Sequence, residues 1–186
     1  MKMNNVYTKI QHLVVLVITS FMLAACSISI DGENYRTQEP KFDIEQFFVG
    51  KVTAWGIVQN RSGEIVQRFE VNIDGRMENG NLILDESFKY SVGDGPAKRV
   101  WTLSQNADGT YTGIANDIAE EATGTSYGNA FNFNYEMDLA VDGSTYRVNF
   151  DDWFWGLDDN NMINRSYIKK FGIVMAEVTI FMQKQG

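Results

Sequence analysis

The segment from residue 130 to residue 140 places aromatic or aliphatic side chains at every second position. Its apolar face holds Phe131, Phe133, Tyr135, Met137 and Leu139, and its polar face Asn132, Asn134, Glu136 and Asp138. Successive side chains of a β-strand point to opposite sides, so this period of two indicates a strand with one face in a core and the other in water.

Similar extended segments recur along the chain, separated by turn-forming residues such as Asn60-Arg61-Ser62-Gly63, Asp74-Gly75 and Val141-Asp142-Gly143. Nine strands are predicted, at 52–59, 65–73, 81–90, 98–105, 110–116, 130–140, 144–157, 162–170 and 175–183. The segment 117–128 is interpreted as a loop, helical in part around 118–122. Short connections of this kind are typical of an up-and-down barrel or a β-sandwich. Because closure removes exposed strand edges, we predict an all-β, antiparallel, lipocalin-like barrel of about eight or nine strands.

The N-terminal 25 residues are typical of a bacterial lipoprotein signal peptide. Lys2 and Lys9 precede an apolar run at 13–23, and the motif Leu23-Ala24-Ala25-Cys26 ends it. A transmembrane helix needs about 20 predominantly apolar residues, and this run is shorter. We therefore predict cleavage after Ala25 and attachment to Cys26 of diacylglycerol and a further acyl chain, such as palmitate.

This signal peptide predicts a domain that is held in the bacterial cell envelope by the lipid on Cys26. Ser27 stands where aspartate would favour retention in the inner membrane, so we expect the periplasmic face of the outer membrane. Polar residues 26–40 are interpreted as a lipidated tether, and residues 41–186 as a single barrel domain. Within it, Asp43 is the predicted N-cap of a short helix that carries Ile44, Phe47 and Phe48 and closes one end of the barrel.

Composition restricts both partners and chemistry. The formal net charge is −8 for the whole chain, and −10 once Lys2 and Lys9 are removed, which disfavours nucleic acid and anionic lipid head groups as direct partners. The only histidine, His12, precedes the cleavage site, and the only cysteine, Cys26, is predicted to be lipidated. Ser-His-Asp and Cys-His catalysis and a Cys/His zinc site are thereby excluded from the mature domain. We predict no cofactor and no metal.

Four charged residues lie on otherwise apolar strand faces: Glu86, Arg99, Asp152 and Arg165. An uncompensated buried charge is costly, so charges on an interior face must pair. One interpretation is that Arg99 or Arg165 neutralises Glu86 or Asp152 across the barrel. The other is that one arginine remains available for the head group of a ligand whose tail fills the interior.

The strand at 144–157 carries aromatic residues on both faces. Phe150 and Phe154 share one face with Asp152, whereas Trp153 and Trp155 share the opposite face with Asp151. Two tryptophans at this spacing indicate either a covering loop or a surface for a partner.

Several segments together resemble the proteobacterial envelope lipoproteins of domain-of-unknown-function family 3833. They are Thr53-Ala54-Trp55-Gly56-Ile57, Arg99-Val100-Trp101-Thr102-Leu103, Asn149-Phe150-Asp151-Asp152-Trp153, Ile163-Asn164-Arg165, Lys170-Phe171-Gly172-Ile173 and Glu177-Val178-Thr179-Ile180-Phe181. The resemblance covers essentially the whole mature domain. It implies no catalytic residues, and it favours a lipidic ligand.

Two functional hypotheses follow. The first is a carrier barrel for a fatty-acyl or other apolar ligand, with Arg99 or Arg165 at the head group and Trp55, Trp101 and Tyr135 as lining; a cavity below about 300 Å³ would exclude it. The second is a non-enzymatic envelope accessory protein that contacts a protein partner through Asp151, Trp153 and Trp155. An enzyme that uses Asp151 or Asp152 as general base is less favoured, because adjacent strand residues point to opposite faces.

Overall fold

The structure is a computed structural model that describes residues 29–141 and 143–186. The predicted signal peptide, the lipidation site Cys26, the first residues of the predicted tether and Asp142 of a predicted turn lie outside the described residues. Within the described ranges, no helix has the length and apolar character needed to cross a membrane.

Ten antiparallel strands form one closed barrel, in which each strand pairs with its neighbours in sequence. They are β1 (Gly50–Asn60), β2 (Ile65–Glu78), β3 (Asn81–Val92), β4 (Lys98–Gln105), β5 (Tyr111–Ala115), β6 (Ala122–Tyr127), β7 (Ala130–Val141), β8 (Ser144–Gly156), β9 (Asn161–Lys170) and β10 (Ile173–Lys184). The first strand also pairs with the last, which closes the sheet. The predicted antiparallel up-and-down barrel is confirmed, with ten strands rather than eight or nine.

The additional strand is β6, in the segment that the sequence assigned to a partly helical loop. Its small residues lack the alternation of large apolar side chains that marks a strand. In the barrel, however, Gly124 lies under the ring of Phe131, which leaves no space for a side chain there. The neighbouring strand β7 therefore supplies the apolar bulk that β6 lacks, and the sequence of β6 alone shows none of it.

A second correction concerns the turn predicted at Asp74-Gly75. Both residues belong to β2, and the turn lies at Asn79-Gly80, where both residues have positive φ. Gly75 instead permits a close approach, since a Cβ built on it would lie 1.8 Å from the carbonyl oxygen of Phe48. The glycine is thus needed for packing against a helix.

That helix, α1 (Ile44–Phe48), closes one end of the barrel. The side chain of Asp43 accepts a hydrogen bond from the backbone N–H of Gln46, at 2.9 Å, which confirms the predicted N-cap. Ile44, Phe47 and Phe48 are buried in the core. We call this the closed end; the opposite end, where the β1–β2, β3–β4, β5–β6, β7–β8 and β9–β10 connections lie, is called the open end.

The described part of the predicted tether packs on the outside of the barrel. It forms a 3-10 helix, Gly32–Tyr35, and the Tyr35 ring lies 6.1 Å from that of Trp153 and 6.0 Å from that of Trp155. Ile30 packs against the same cluster. From Ile30 to Tyr35 the chain is therefore a covering segment rather than a free spacer.

Candidate functional site

The barrel encloses a cavity of about 1200 Å³. Ile44 and Phe48 of α1 line it at the closed end, and Tyr146, Lys170 and Met175 line it at the open end. An eight-stranded barrel is just wide enough for side chains to fill, and the diameter grows with strand number. Ten strands therefore leave space inside this barrel despite its many aromatic residues.

Aromatic side chains form much of the cavity wall near its middle. The Tyr135 ring stacks on Phe150 with 5.0 Å between centroids, and Trp101 meets Phe133 and Tyr135 edge-on at 5.1 and 5.2 Å. Offset and edge-on arrangements of this kind are favourable and fix the rings in place. The wall is thus apolar and ordered.

Polar groups interrupt this apolar wall, among them Asn164 and Ser166 of β9; we call five others the polar cluster: Glu86, Arg99, Asp117, Tyr135 and Asp152. Strands β3, β4, β7 and β8 each contribute one member, and Asp117 comes from the β5–β6 connection. Glu86 and Arg99 stand directly opposite each other in the β3–β4 ladder. The cluster therefore brings one cation together with three carboxyl groups inside the barrel.

Arg99 is held by Asp117 in a two-pronged ion pair. Its Nε donates a hydrogen bond to Asp117 Oδ1 at 3.1 Å, and its Nη2 donates one to Oδ2 at 2.7 Å. The guanidinium also lies 5.8 Å from the ring centroid of Trp101 and 6.0 Å from that of Phe88. Bidentate pairs of this kind are among the strongest in proteins, so the charge of Arg99 is already compensated by the protein.

The other two carboxyl groups are strongly perturbed. Burial raises the pKa of Glu86 to about 7; the Arg99 charge opposes this, and the charges of Asp117 and Asp152 add to it. Burial likewise raises the pKa of Asp152 to about 7, and the charge of Arg99 opposes this. Glu86 borders the cavity and so retains some accessible surface, although it lies deep inside the barrel.

One atom of the polar cluster has no partner. Asp152 Oδ2 accepts a hydrogen bond from the Tyr135 hydroxyl at 3.4 Å, but Oδ1 is buried without a partner among the described residues. A buried acceptor without a donor is costly. Oδ1 is therefore an unpaired acceptor that has almost no accessible surface.

Three of the predicted ligand-lining residues lie in the interior: Arg99, Trp101 and Tyr135 all border the cavity. The prediction was wrong for Trp55 and Arg165, which lie on the outer surface. Trp55 is 43 % exposed and stacks on Phe181, because Ala54 and Gly56 occupy the inward positions of β1. Arg165 pairs with Glu177 at 3.5 Å on the outside.

The predicted surface contact is also corrected. Trp153 is only 4 % exposed, since Tyr35 and Tyr127 cover it, and Trp155 packs in the same group. Asp151 is half-buried and paired with Lys169. The covering-segment interpretation therefore holds, and this face of β8 presents no open aromatic surface.

The sequence did not reveal Asp117. It lies in a connection with no strand pattern, and the only signal was indirect: an interior Arg99 needs a counter-ion. Neither the polar cluster nor any other part of the described ranges holds a group of three or more His, Cys, Asp or Glu placed to bind a metal ion.

Comparison with known proteins places the chain in a family. The model of the family described as "Protein of unknown function (DUF3833)" matches residues 20–184. The chain belongs to this DUF3833 family. No curated protein matches this DUF3833 chain.

Two solved structures share the fold of this DUF3833 protein. One is an S-type phycobiliprotein lyase, CPES, from Guillardia theta, with a TM-score of 0.56 at 12% identity over 78% of this chain and 94% of that one. The other is a protein of unknown function from the DUF3598 family of Nostoc punctiforme, with a TM-score of 0.56 at 9% identity over 79% and 51% of the two chains. At such low identity the likeness concerns the barrel fold alone.

Proposed function

We propose that the DUF3833 barrel binds one elongated apolar molecule, of the fatty-acyl or alkyl class, in its cavity. The observation that carries this proposal is the cavity of about 1200 Å³, which is apolar and ends among residues of the open end. Ligand pockets typically measure about 300–1000 Å³ and combine an apolar wall with a few polar groups. This cavity has both properties.

The polar cluster favours a ligand whose polar end donates hydrogen bonds or carries positive charge. Arg99 is already paired with Asp117, and Glu86 and Asp152 add two further acids. A carboxylate would meet net negative surroundings, whereas a hydroxyl, amide or ammonium group could donate to the carboxyl group of Glu86, which borders the cavity. Arg99 therefore contributes to the cluster as the partner of Asp117 rather than as the receptor of a fatty-acid head.

Displacement of the apolar fluorophore N-phenyl-1-naphthylamine by three sixteen-carbon molecules tests both statements. At pH 8 we expect hexadecylamine and hexadecanol to compete on the order of tenfold more strongly than palmitate, because the carboxylate is repelled by the ionised acids. At pH 5 the difference between hexadecanol and palmitate is expected to shrink, since Glu86 and Asp152 then hold protons.

An occluding variant separates binding in the cavity from binding elsewhere. Ala176 lines the cavity near the open end, so Ala176→Trp is expected to weaken fluorophore binding about tenfold or more by filling it. Ile114, which is 53 % exposed on the outside, provides the matched control Ile114→Trp with unchanged binding. Equal affinity for all three proteins, or no binding to the wild type, would contradict the proposal.

We further propose that acyl chains on Cys26 hold this domain at the periplasmic face of the outer membrane. The support is the sequence motif Leu23-Ala24-Ala25-Cys26 with its preceding apolar run. Sucrose-gradient fractionation tests it: the wild type is expected with outer-membrane markers, and Cys26→Ser is expected to lose that position. Wild-type protein with inner-membrane markers would contradict the location.

The alternative function, an accessory protein that acts through Asp151, Trp153 and Trp155, has less support. Its aromatic members are covered by the protein's own segment from Ile30 to Tyr35. A protein partner on this face would first have to displace that segment.

A further inference from the structure

Exposed apolar side chains gather at the open end of the barrel. Those that are large and exposed there are Ile65, Val66, Val92, Val141, Tyr146, Phe171, Ile173 and Met175, against Val49, Met77 and Leu157 at the closed end. Contiguous exposed apolar surface is uncommon in soluble domains and often marks an interaction site. The exposed apolar surface of the open end is therefore a candidate interaction site.

The tip of the β9–β10 hairpin is the most unusual part of this surface. Phe171 is 91 % exposed and has a φ of 52°, followed by Gly172 with a φ of 76°. Two residues with positive φ form the kind of tight turn in which asparagine or aspartate normally precedes the glycine. A bulky side chain is unfavourable in this conformation, and here it gains no burial in return. Folding alone thus gives no reason for phenylalanine at this position.

The neighbouring hairpin extends this tip. Lys170 Nζ lies 3.9 Å from the centroid of the Tyr146 ring, which connects the β9–β10 and β7–β8 hairpins. Tyr146, Lys170 and Met175 also line the cavity. The exposed apolar surface is therefore continuous with the mouth of the cavity. We call Val141, Tyr146, Phe171, Ile173 and Met175 the rim.

The β9–β10 tip of the rim is locally positive. No acidic residue lies between Lys169 and Ala176, and Lys170 stands beside Phe171. Acidic residues occur in turns at both ends, with Glu64 and Asp94 at the open end and Asp108 and Asp158 at the closed end, and the β9–β10 tip is the open-end connection without one. The chain is acidic as a whole, but at this tip the charged residues are Lys169 and Lys170, beside the exposed Phe171. Aromatic and aliphatic groups beside lysine are the combination that binds at the interface of a bilayer with anionic lipids.

We propose that the rim inserts into the surface of a phospholipid bilayer, with Phe171 as its deepest side chain, so that the mouth of the cavity faces the lipid. This contact concerns the membrane and not the cavity ligand, so it stands whether or not the proposed ligand binds. It acts in addition to any anchor on Cys26, and it gives the barrel a defined orientation. The closed end then faces water.

Spin labelling of the full chain in vesicles of phosphatidylcholine and phosphatidylglycerol tests this orientation. Nitroxides are placed at Phe171→Cys and, as a matched control, at Leu157→Cys, since Leu157 is an exposed apolar residue of the closed end. Oxygen concentrates in lipid, whereas a nickel chelate remains in water. We expect the ratio of oxygen to nickel collisions to be on the order of tenfold higher at position 171 than at 157. Wild-type chain treated with the same spin label measures the background signal from label attached to Cys26.

A second variant tests membrane insertion with a substitution that is not expected to impair folding. Phe171→Asn places a residue preferred in this turn at the tip, so the hairpin is expected to form at least as well as in the wild type. With a label at Met175→Cys, this change should lower the collision ratio several-fold if Phe171 inserts. An unchanged ratio at 175, equal nickel access at 171 and 157, or a lipid-exposed label at 157 would overturn the proposal. Low access of both oxygen and the nickel chelate to position 171, together with spin–spin broadening, would show that the rim contacts a second copy of the chain. That result would also overturn the proposal.

Discussion

Replacing Arg99 with methionine is expected to lower the free energy of unfolding at pH 8 by about 3–5 kcal/mol, the range typical of removing one partner from a buried ion pair. The change leaves Asp117 without its cation and removes the only positive charge of the polar cluster, where Glu86 and Asp152 add further carboxyl groups. Methionine retains most of the packing against Trp101 and Phe88. The loss therefore reports charge rather than volume.

Arg165→Met is the matched control, because Arg165 forms its ion pair on the outer surface, where such pairs contribute less than about 1 kcal/mol. Urea unfolding at pH 8 and pH 5 measures both variants. The Arg99→Met loss is expected to be smaller at pH 5, since Glu86 and Asp152 then hold protons and need no cation. Similar small losses for the two variants would show that the polar cluster is not sealed from solvent.

Replacing Glu86 with glutamine is expected to raise the free energy of unfolding at pH 8 by about 3 kcal/mol. Burial raises the pKa of Glu86 in the folded protein to about 7, above the ordinary value of 4.5. Between these two values the folded state binds more protons than the unfolded chain, so stability decreases as the pH rises from about 4.5 to about 7. At pH 8 the full difference, about 3 kcal/mol, has been lost, and glutamine restores it by remaining neutral.

The same reasoning predicts almost no stabilisation by Glu86→Gln at pH 4, where the glutamate is already protonated in both states. Glu64→Gln, on the exposed β1–β2 turn, is the control and should change the free energy of unfolding by less than about 0.5 kcal/mol at either pH. Urea unfolding across this pH range provides the measurement. A Glu86→Gln protein that is less stable than the wild type at pH 8 would mean that the ionised carboxylate is well solvated or paired.

The barrel could be predicted from sequence because most of its strands carry their own apolar face. The alternation in β7 and the turn residues between strands were sufficient for the architecture. Strand β6 could not be predicted in this way, because its inward positions are filled by rings from β7, as at Gly124. The turn at Asp74-Gly75 was wrong for a related reason: the glycine serves contact with Phe48, which lies far away in sequence.

The candidate site was predictable only in part. Arg99 and Trp101 stand on a strand whose largest apolar residues, Trp101 and Leu103, both point inward, so the inward face could be recognised from the sequence. On β1 the inward residues are small, Ala54 and Gly56, and the conspicuous Trp55 points outward. On β9 the inward residues Asn164 and Ser166 are polar, which made the outward face with Arg165 resemble a core face. Residue size and polarity indicate the face of a strand only where the interior is uniformly apolar.

The pairing of β1 with β10 joins the two ends of the described barrel. Side chains as distant in sequence as Thr53 and Gln185, 132 positions apart, meet along this seam. Contacts over such separations form slowly, because the intervening chain must first be ordered. In a chain made from its N-terminus, nine strands are complete while both edges of the sheet remain unpaired. A ligand present at that stage would be enclosed as the seam forms, without ever passing through the open end.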